Sequence, residues 1–246
     1  MWRPGAVGQQ YSLAKLYISL DAENWRQGVR GMLETFVALF KASFDLFSIN
    51  FAPEEEFDLH RLMERLQAIT AGDLESLSVR NRPGTLQFSI RTEFAYLGAR
   101  GWHELRFVFP ASADCESVFA SLAKVAANCS RVAYGYARKL DADHDVSSES
   151  KMKKTLLGNI RTRVERAVDT WMENPAGIGD GALKGFYPFN LVRESKLRTA
   201  PLREVIDAYD VHPNRLSDDL SLIRLAEDQL KSLKRSSGIV SRFVRD

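Results

Sequence analysis

SLSVRNRPGTLQFSI, residues 76–90, reads as two short strands joined by a tight turn. Pro83 presets one turn angle, and Gly84 accepts the positive φ that closes it. Downstream of the turn, Leu86, Phe88, Ile90 and Thr92 alternate with Gln87, Ser89, Arg91 and Glu93. Alternation of this kind marks a strand with one apolar and one wet face, which is the habit of antiparallel sheets. A second turn at LGARG, 97–101, and a further strand at 103–109 extend the pattern. Hairpins in the middle of the chain therefore set the expected class.

Upstream, Leu13–Leu20 predicts a strand with Leu16, Ile18 and Leu20 on one face and Lys15, Tyr17 and Ser19 on the other. Asp21 then caps a helix whose apolar stripe runs Trp25, Val29, Met32, Leu33, Phe36, Leu39 and Phe40. A second strand carries Phe47, Ile49 and Phe51 on one side. Pro53 and Glu54–Glu56 open a second helix, with Leu59, Leu62, Leu66 and Ile69 inward and Gly72 as its stop. After the hairpins come a helix from Ala113 to Cys129 and a strand at 131–140. The polar run DADHDVSSES, 141–150, breaks the texture. Beyond it the spacing of Met152, Leu156, Ile160, Val164, Val168 and Trp171 predicts a long helix over 149–173, and a glycine-rich turn over 177–185 follows. A helix from Pro201, a strand at Leu220–Leu225, a helix through Leu230 and Leu233, a stop at Gly238 and a last strand IVSRFV complete the pattern. The expected fold is α+β: a mainly antiparallel mixed sheet covered by helices, with a long helix in the C-terminal half. We expect one domain over 1–246, with a sub-boundary at 141–150 between a sandwich-like part (1–140) and a helical, basic part (149–246).

Composition narrows the classes. The 246 residues are 45% hydrophobic and 27% charged, which is enough apolar material for a full core without covalent staples. A net charge of +2 argues against strong non-specific attraction to DNA. Residues 1–148 hold 16 Lys/Arg against 18 Asp/Glu, and residues 149–246 hold 18 against 14, so the C-terminal part is mildly basic. Cys115 and Cys129 lie on one predicted helix, about 21 Å apart, too far for a disulfide. Unpaired thiols among apolar neighbours fit a reducing cytosol. The N-terminus lacks a signal-type apolar run and no stretch is long enough to span a membrane, so a cytoplasmic location is expected.

Familiar chemistries find little support. GIGDGALKG, 177–185, follows a helix, whereas a dinucleotide fingerprint follows a strand and opens a helix. Lys184 precedes Gly185, so the phosphate-loop spacing also fails. Asp141, Asp143 and Asp145 begin like a calcium loop, but Val146 and Met152 stand where the glycine and the bidentate glutamate belong. His60, His103, His144 and His212 are scattered and are expected at the surface or capped, and no metal site is expected. S-x-x-K recurs at Ser12, Ser121, Ser148 and Ser150 without its companion motifs. No cofactor is expected, and the chain reads as non-enzymatic. Tyr134 and Tyr136 share a strand face beside Arg131 and Arg138, the layout of a base-stacking strand, but Val132 replaces the glycine of the RNA-binding consensus. Lys151, Lys153, Lys154, Arg161, Arg163 and Arg166 line the predicted long helix and would attract an acidic partner.

FYPFNLVRESKLRTAPL, 186–202, resembles a segment of bacterial polymorphic-toxin immunity proteins. The shared pattern is Tyr187, Pro188, Asn190 and Leu191, a leucine at 197, Pro201–Leu202, and a strand and helix over 219–236. The resemblance implies a cytosolic α+β protein that neutralises a cognate toxin. Many such proteins are acidic, to cover a basic nuclease; at +2 this chain is not, so a nuclease is not implied.

The expected function is that of a binding protein which occludes a toxin or defence-related partner. Trp171, Tyr187, Arg163, Arg161 and Lys154 are its expected contact residues. The alternative is a module that binds nucleic acid or a phosphorylated ligand through Lys153, Lys154, Arg161 and Arg163. No membrane partner is expected.

Overall fold

A computed structural model describes residues 10–20, 24–92, 102–140, 153–155, 158–160, 183 and 185–235. In chain order, its first part comprises β1 (Tyr11–Leu20), α1 (Trp25–Phe40), β2 (Leu46–Ile49), β3 (Glu55–Glu56), α2 (Leu59–Gln67), β4 (Ser76–Arg80), β5 (Gln87–Arg91), β6 (Trp102–Pro110), α3 (Cys115–Cys129) and β7 (Ser130–Leu140). The remainder comprises β8 (Lys153–Thr155), β9 (Gly158–Ile160), β10 (Phe189–Arg193), α4 (Glu194–Leu197), α5 (Ala200–Ala208), β11 (Asn214–Arg215), β12 (Leu220–Arg224) and α6 (Glu227–Arg235).

Ten strands form one open sheet in the order β11-β12-β10-β7-β1-β6-β5-β4-β2-β3. Every neighbouring pair in it is antiparallel. The expected mixed sheet is thereby overturned, and β1 is the reason. It pairs with β6 on one side and with β7 on the other. The β6–α3–β7 crossover joins two strands of like direction, and β1 lies between them, so no parallel pairing forms. The outer strands are only two residues long, Glu55–Glu56 at one edge and Asn214–Arg215 at the other. Short, charged edges limit the open sheet's tendency to pair with another chain.

The expected long helix over 149–173 is also overturned. Lys153–Thr155 and Gly158–Ile160 pair as a separate antiparallel hairpin. Gly158 and Asn159 are weak helix formers, and the apolar spacing around them fits a helix only when that cost is ignored.

Other boundaries move for local reasons. The helix after β1 starts at Trp25 with Asn24 in the N-cap position, and Asp21 lies outside the described residues. Glu55 and Glu56 form a strand instead of a first helical turn, and α2 starts after Asp58, whose carboxylate accepts from the Arg61 amide. It stops at Gln67, while Gly72 belongs to a separate 3-10 turn. Phe51 leaves the strand altogether. The 76–90 hairpin forms as expected, with Gly84 at φ 70°. LGARG, DADHDVSSES, Gly238 and IVSRFV lie outside the described residues.

Both faces of the central strands are covered. On the first, Ala14, Leu16, Ile18 and Leu20 of β1 meet Trp25, Val29 and Phe36 of α1, Leu62 and Leu66 of α2, and Phe119 and Leu122 of α3. On the second, Tyr17, Tyr134 and Tyr136 join Val192 and Ile223, with Leu202 and Val205 of α5 and Leu230 and Leu233 of α6. Gly135 faces Leu16 across the ladder. A Cβ there would lie 2.6 Å from Leu16 Cδ2, 2.9 Å from the Lys15 carbonyl oxygen and 3.2 Å from Phe119 Cζ. The missing side chain is what lets α3 lie close on the two central strands.

The Lys15 carbonyl belongs to the ladder and cannot yield, so Gly135→Ala is expected to cost about 1–3 kcal/mol, read by urea denaturation. An unchanged midpoint would show that the central strands can separate to accept a methyl group.

Candidate functional site

The register of the three central strands brings a set of polar side chains together on the second face. Lys15 lies opposite Arg106 on β6 and Tyr136 on β7; Tyr17 lies opposite Glu104 and Tyr134. The Glu104 carboxylate is the hub. Its Oε2 accepts from Lys15 Nζ at 2.7 Å and from the Tyr17 hydroxyl at 3.0 Å, and its Oε1 accepts from Arg106 Nη2 at 2.7 Å. All three ionic residues are buried, Glu104 at 1%, Lys15 at 3% and Arg106 at 4% exposure. Charges this deep persist only when paired and hydrogen-bonded, because the desolvation cost of each is several kcal/mol.

Tyrosines continue the cluster outward. The Tyr17 and Tyr134 rings are nearly parallel, 6.2 Å apart, and Tyr134 and Tyr136 lie 5.9 Å apart. Tyr187, in the loop before β10, stacks on Tyr136 at 3.8 Å and 12°. Its backbone is clamped by Asn190: the Tyr187 amide donates to Oδ1 at 3.1 Å, and Nδ2 donates to the Tyr187 carbonyl at 2.6 Å. The Tyr134 hydroxyl donates to the Gly185 carbonyl at 3.0 Å. The Arg138 guanidinium stands 5.6 Å from the Tyr187 ring, within cation–π range. One loop is thus fastened to the sheet by an amide clamp, a stacked ring and a hydroxyl. Chemically, the arrangement binds one carboxylate to two cations and a phenol, and it locks strand register.

Of the expected contact residues, Tyr187 is half-buried in this stack. Lys154 is in β8, paired with Asn159. Trp171, Arg161 and Arg163 lie outside the described residues. The helical spacing that would set Lys153 and Lys154 on one face with Arg161 does not apply where 153–155 is a strand. Tyr134 and Tyr136 do share a face, but both are fully buried against other tyrosines, so neither presents a ring to a base. His60 and His212 are exposed beside Glu64 (3.2 Å) and Asp210 (3.7 Å). His103 is buried on β6. His144 lies outside the described residues. Among the described residues no three His, Cys, Asp or Glu side chains come together as a metal site. No helix among them is long and apolar enough to cross a membrane.

Both cysteines are free thiols, as expected. Burial pushes the Cys115 thiol up to about 11, and burial also raises Cys129. Cys129 Sγ presses on Gly28, where a Cβ would lie 2.6 Å away, so this thiol marks the crossing of α1 and α3.

Sequence reasoning placed Lys15 and Tyr17 on the less apolar face of β1 but did not find the Glu104 cluster. The available signal was Glu104-x-Arg106, two opposite charges on one face of a strand. Its partner, Lys15, lies 89 residues away and is identified only by the β1–β6 register.

Glu104→Gln keeps the shape and removes the charge, and is expected to cost about 3–5 kcal/mol of stability in a urea titration. A loss below about 1 kcal/mol would show that the cluster is not held by its carboxylate. At pH 8 a thiol with a pKa near 11 is about one part in a thousand thiolate. Cys115 should therefore resist iodoacetamide in the folded protein and react in denaturant; rapid modification of the native chain would contradict its burial.

No family model matches the chain, and no curated protein matches it by sequence. Among solved structures, the Pseudomonas aeruginosa T6SS protein PA0821 is similar in fold. The superposition has a TM-score of 0.59 at 15% identity and covers 95% of this chain and 74% of that one. At this identity the likeness is one of fold.

Proposed function

We propose that this chain is a partner-binding protein of the T6SS setting that neutralises a toxin by occlusion, in the manner of an immunity protein. The observation that carries the reading is the fold likeness to a T6SS protein over 95% of the chain. It joins the Tyr187-Pro-x-Asn190-Leu191 pattern, whose residues have a clear structural role. Asn190 clamps the Tyr187 backbone, and Tyr187 stacks on the sheet. That role fits a scaffold motif, retained while the partner-facing surface changes with the toxin. The mechanism is occlusion by a preformed surface, in which a few aromatic and arginine side chains supply most of the binding energy. Trp171, Arg163, Arg161 and Lys154 are the candidates for that surface in the C-terminal half, with the half-buried Tyr187 contributing the part of its ring that its scaffold stack leaves accessible.

The test is capture with the tagged full chain from its own organism, followed by co-expression. One stoichiometric protein should stay bound in high salt, should be toxic when expressed alone, and should be harmless when co-expressed with this chain. A captured protein whose toxicity is unaffected would overturn the proposal. So would bound nucleic acid that salt releases, since phosphate contacts weaken steeply with salt.

A further inference from the structure

The turn between β2 and β3 carries two consecutive residues with left-handed backbone, Asn50 at φ 50° and Phe51 at φ 59°. Asparagine tolerates this region well, whereas a bulky aromatic there is a genuine outlier. The Phe51 side chain is also 72% exposed, the most exposed large hydrophobic among the described residues. It therefore bears strain and wet apolar surface without gaining packing. A glycine would adopt the same backbone freely.

The turn is rigidly built. The Asn50 amide donates to the Ser76 carbonyl at 2.8 Å. Its side-chain Oδ1 accepts from the Glu75 and Ser76 amides at 2.9 and 3.2 Å, and its Nδ2 donates to the Asp73 carbonyl at 2.9 Å. The Phe51 amide donates to Ser76 Oγ at 3.2 Å, and the Ala52 amide to the Ile49 carbonyl at 3.0 Å. One asparagine thus ties the turn to the 73–76 segment and fixes the backbone that carries the phenyl ring. A backbone ordered in advance has no further entropy to lose when a partner takes the ring.

The same segment sets the charge around the tip. Asp73 and Glu75 are exposed. Asp73 accepts from the Thr70 hydroxyl, and Glu75 makes no ion pair among the described residues. The nearby Glu54 is already taken up by Arg80. The result is an apolar knob beside two carboxylates that carry no cation from the described residues.

We infer that Phe51 is a binding anchor, which inserts into an apolar pocket on a protein partner whose rim carries lysine or arginine facing Asp73 and Glu75. The inference rests on the partner-binding reading above and gives that partner's chemistry. Strain held at a turn by an over-determined hydrogen-bond set is a mark of functional sites. Aromatic side chains in desolvated pockets supply most of the energy at interfaces, and complementary charge guides the approach.

The test uses Phe51→Gly and Glu75→Lys in the full chain, with the purified captured partner as probe. Phe51→Gly should melt no lower than the wild type and bind at least about thirty-fold more weakly, the range of interface anchors. Glu75→Lys should also weaken binding and flatten its salt dependence. With Phe51 replaced by photoreactive benzoylphenylalanine, the cross-link should fall on an apolar partner residue flanked by Lys or Arg. A marked drop in melting temperature for Phe51→Gly would make the ring structural and overturn the inference, and so would cross-linking to a second copy of this chain. If the wild type binds and neutralises its partner while Phe51→Gly binds as tightly, this inference alone fails. If the wild type binds no protein, both readings fail.

Discussion

The structure depends on one strand lying between two others. β1 is hydrogen-bonded along both edges, to β6 and β7, and both of its faces are covered. Every other part of the sheet grows outward from that triplet: β5, β4, β2 and β3 on one side, and β10, β12 and β11 on the other. The insertion keeps the like-directed strands β6 and β7 from pairing in parallel, and α3, which joins them, lies across the first face. Gly135 allows that close layering because no Cβ stands between the ladder and Phe119.

The two faces of β1 have different chemistry, and this difference protects its register. Alternate residues Ala14, Leu16 and Ile18 enter the helix-covered core, and Lys15 and Tyr17 meet Glu104. A slip of one residue would exchange the faces. Lys15 would enter an apolar core without its carboxylate, at a cost far above that of a missed van der Waals contact. Buried ionic groups often add little stability over an apolar replacement, but here they penalise the wrong pairing heavily. The sheet's edges are defended differently, by stopping after two residues.

On the proposed partner-binding reading, such a scaffold leaves recognition to its loops. The central faces are filled, and Tyr187 is fastened to the sheet by the Asn190 clamp and the Tyr136 stack. The β2–β3 turn is built in the opposite sense, with its backbone tightly held and its side chain left in solvent. A rigid frame that presents one strained aromatic fits the proposed binding of a partner surface.

Much of this architecture was legible locally. Alternation identified β1 and β5; β2, β4, β6, β7 and β12 were also expected as strands, and the stripes of α1, α2 and α3 include their main core residues. Such signals are periodic over a few residues and need no knowledge of distant chain. The failures have a common cause as well. Apolar spacing over 149–173 matched a helix, yet 153–155 and 158–160 pair as strands, because spacing does not report what each segment pairs with. Phe51 looked like a strand residue until its turn was tied to Ser76. Lys15 and Tyr17 were placed on the opposite face from Leu16 and Ile18, and only β6 showed that this face holds Glu104. Local patterns were enough for most strands and helices, the two free thiols and the hairpin at Gly84, since each depends on neighbouring residues. The strand order, the all-antiparallel sheet and the buried carboxylate hub emerged only when the chain was assembled. Those depend on register between residues nearly ninety positions apart, and no local pattern encodes it.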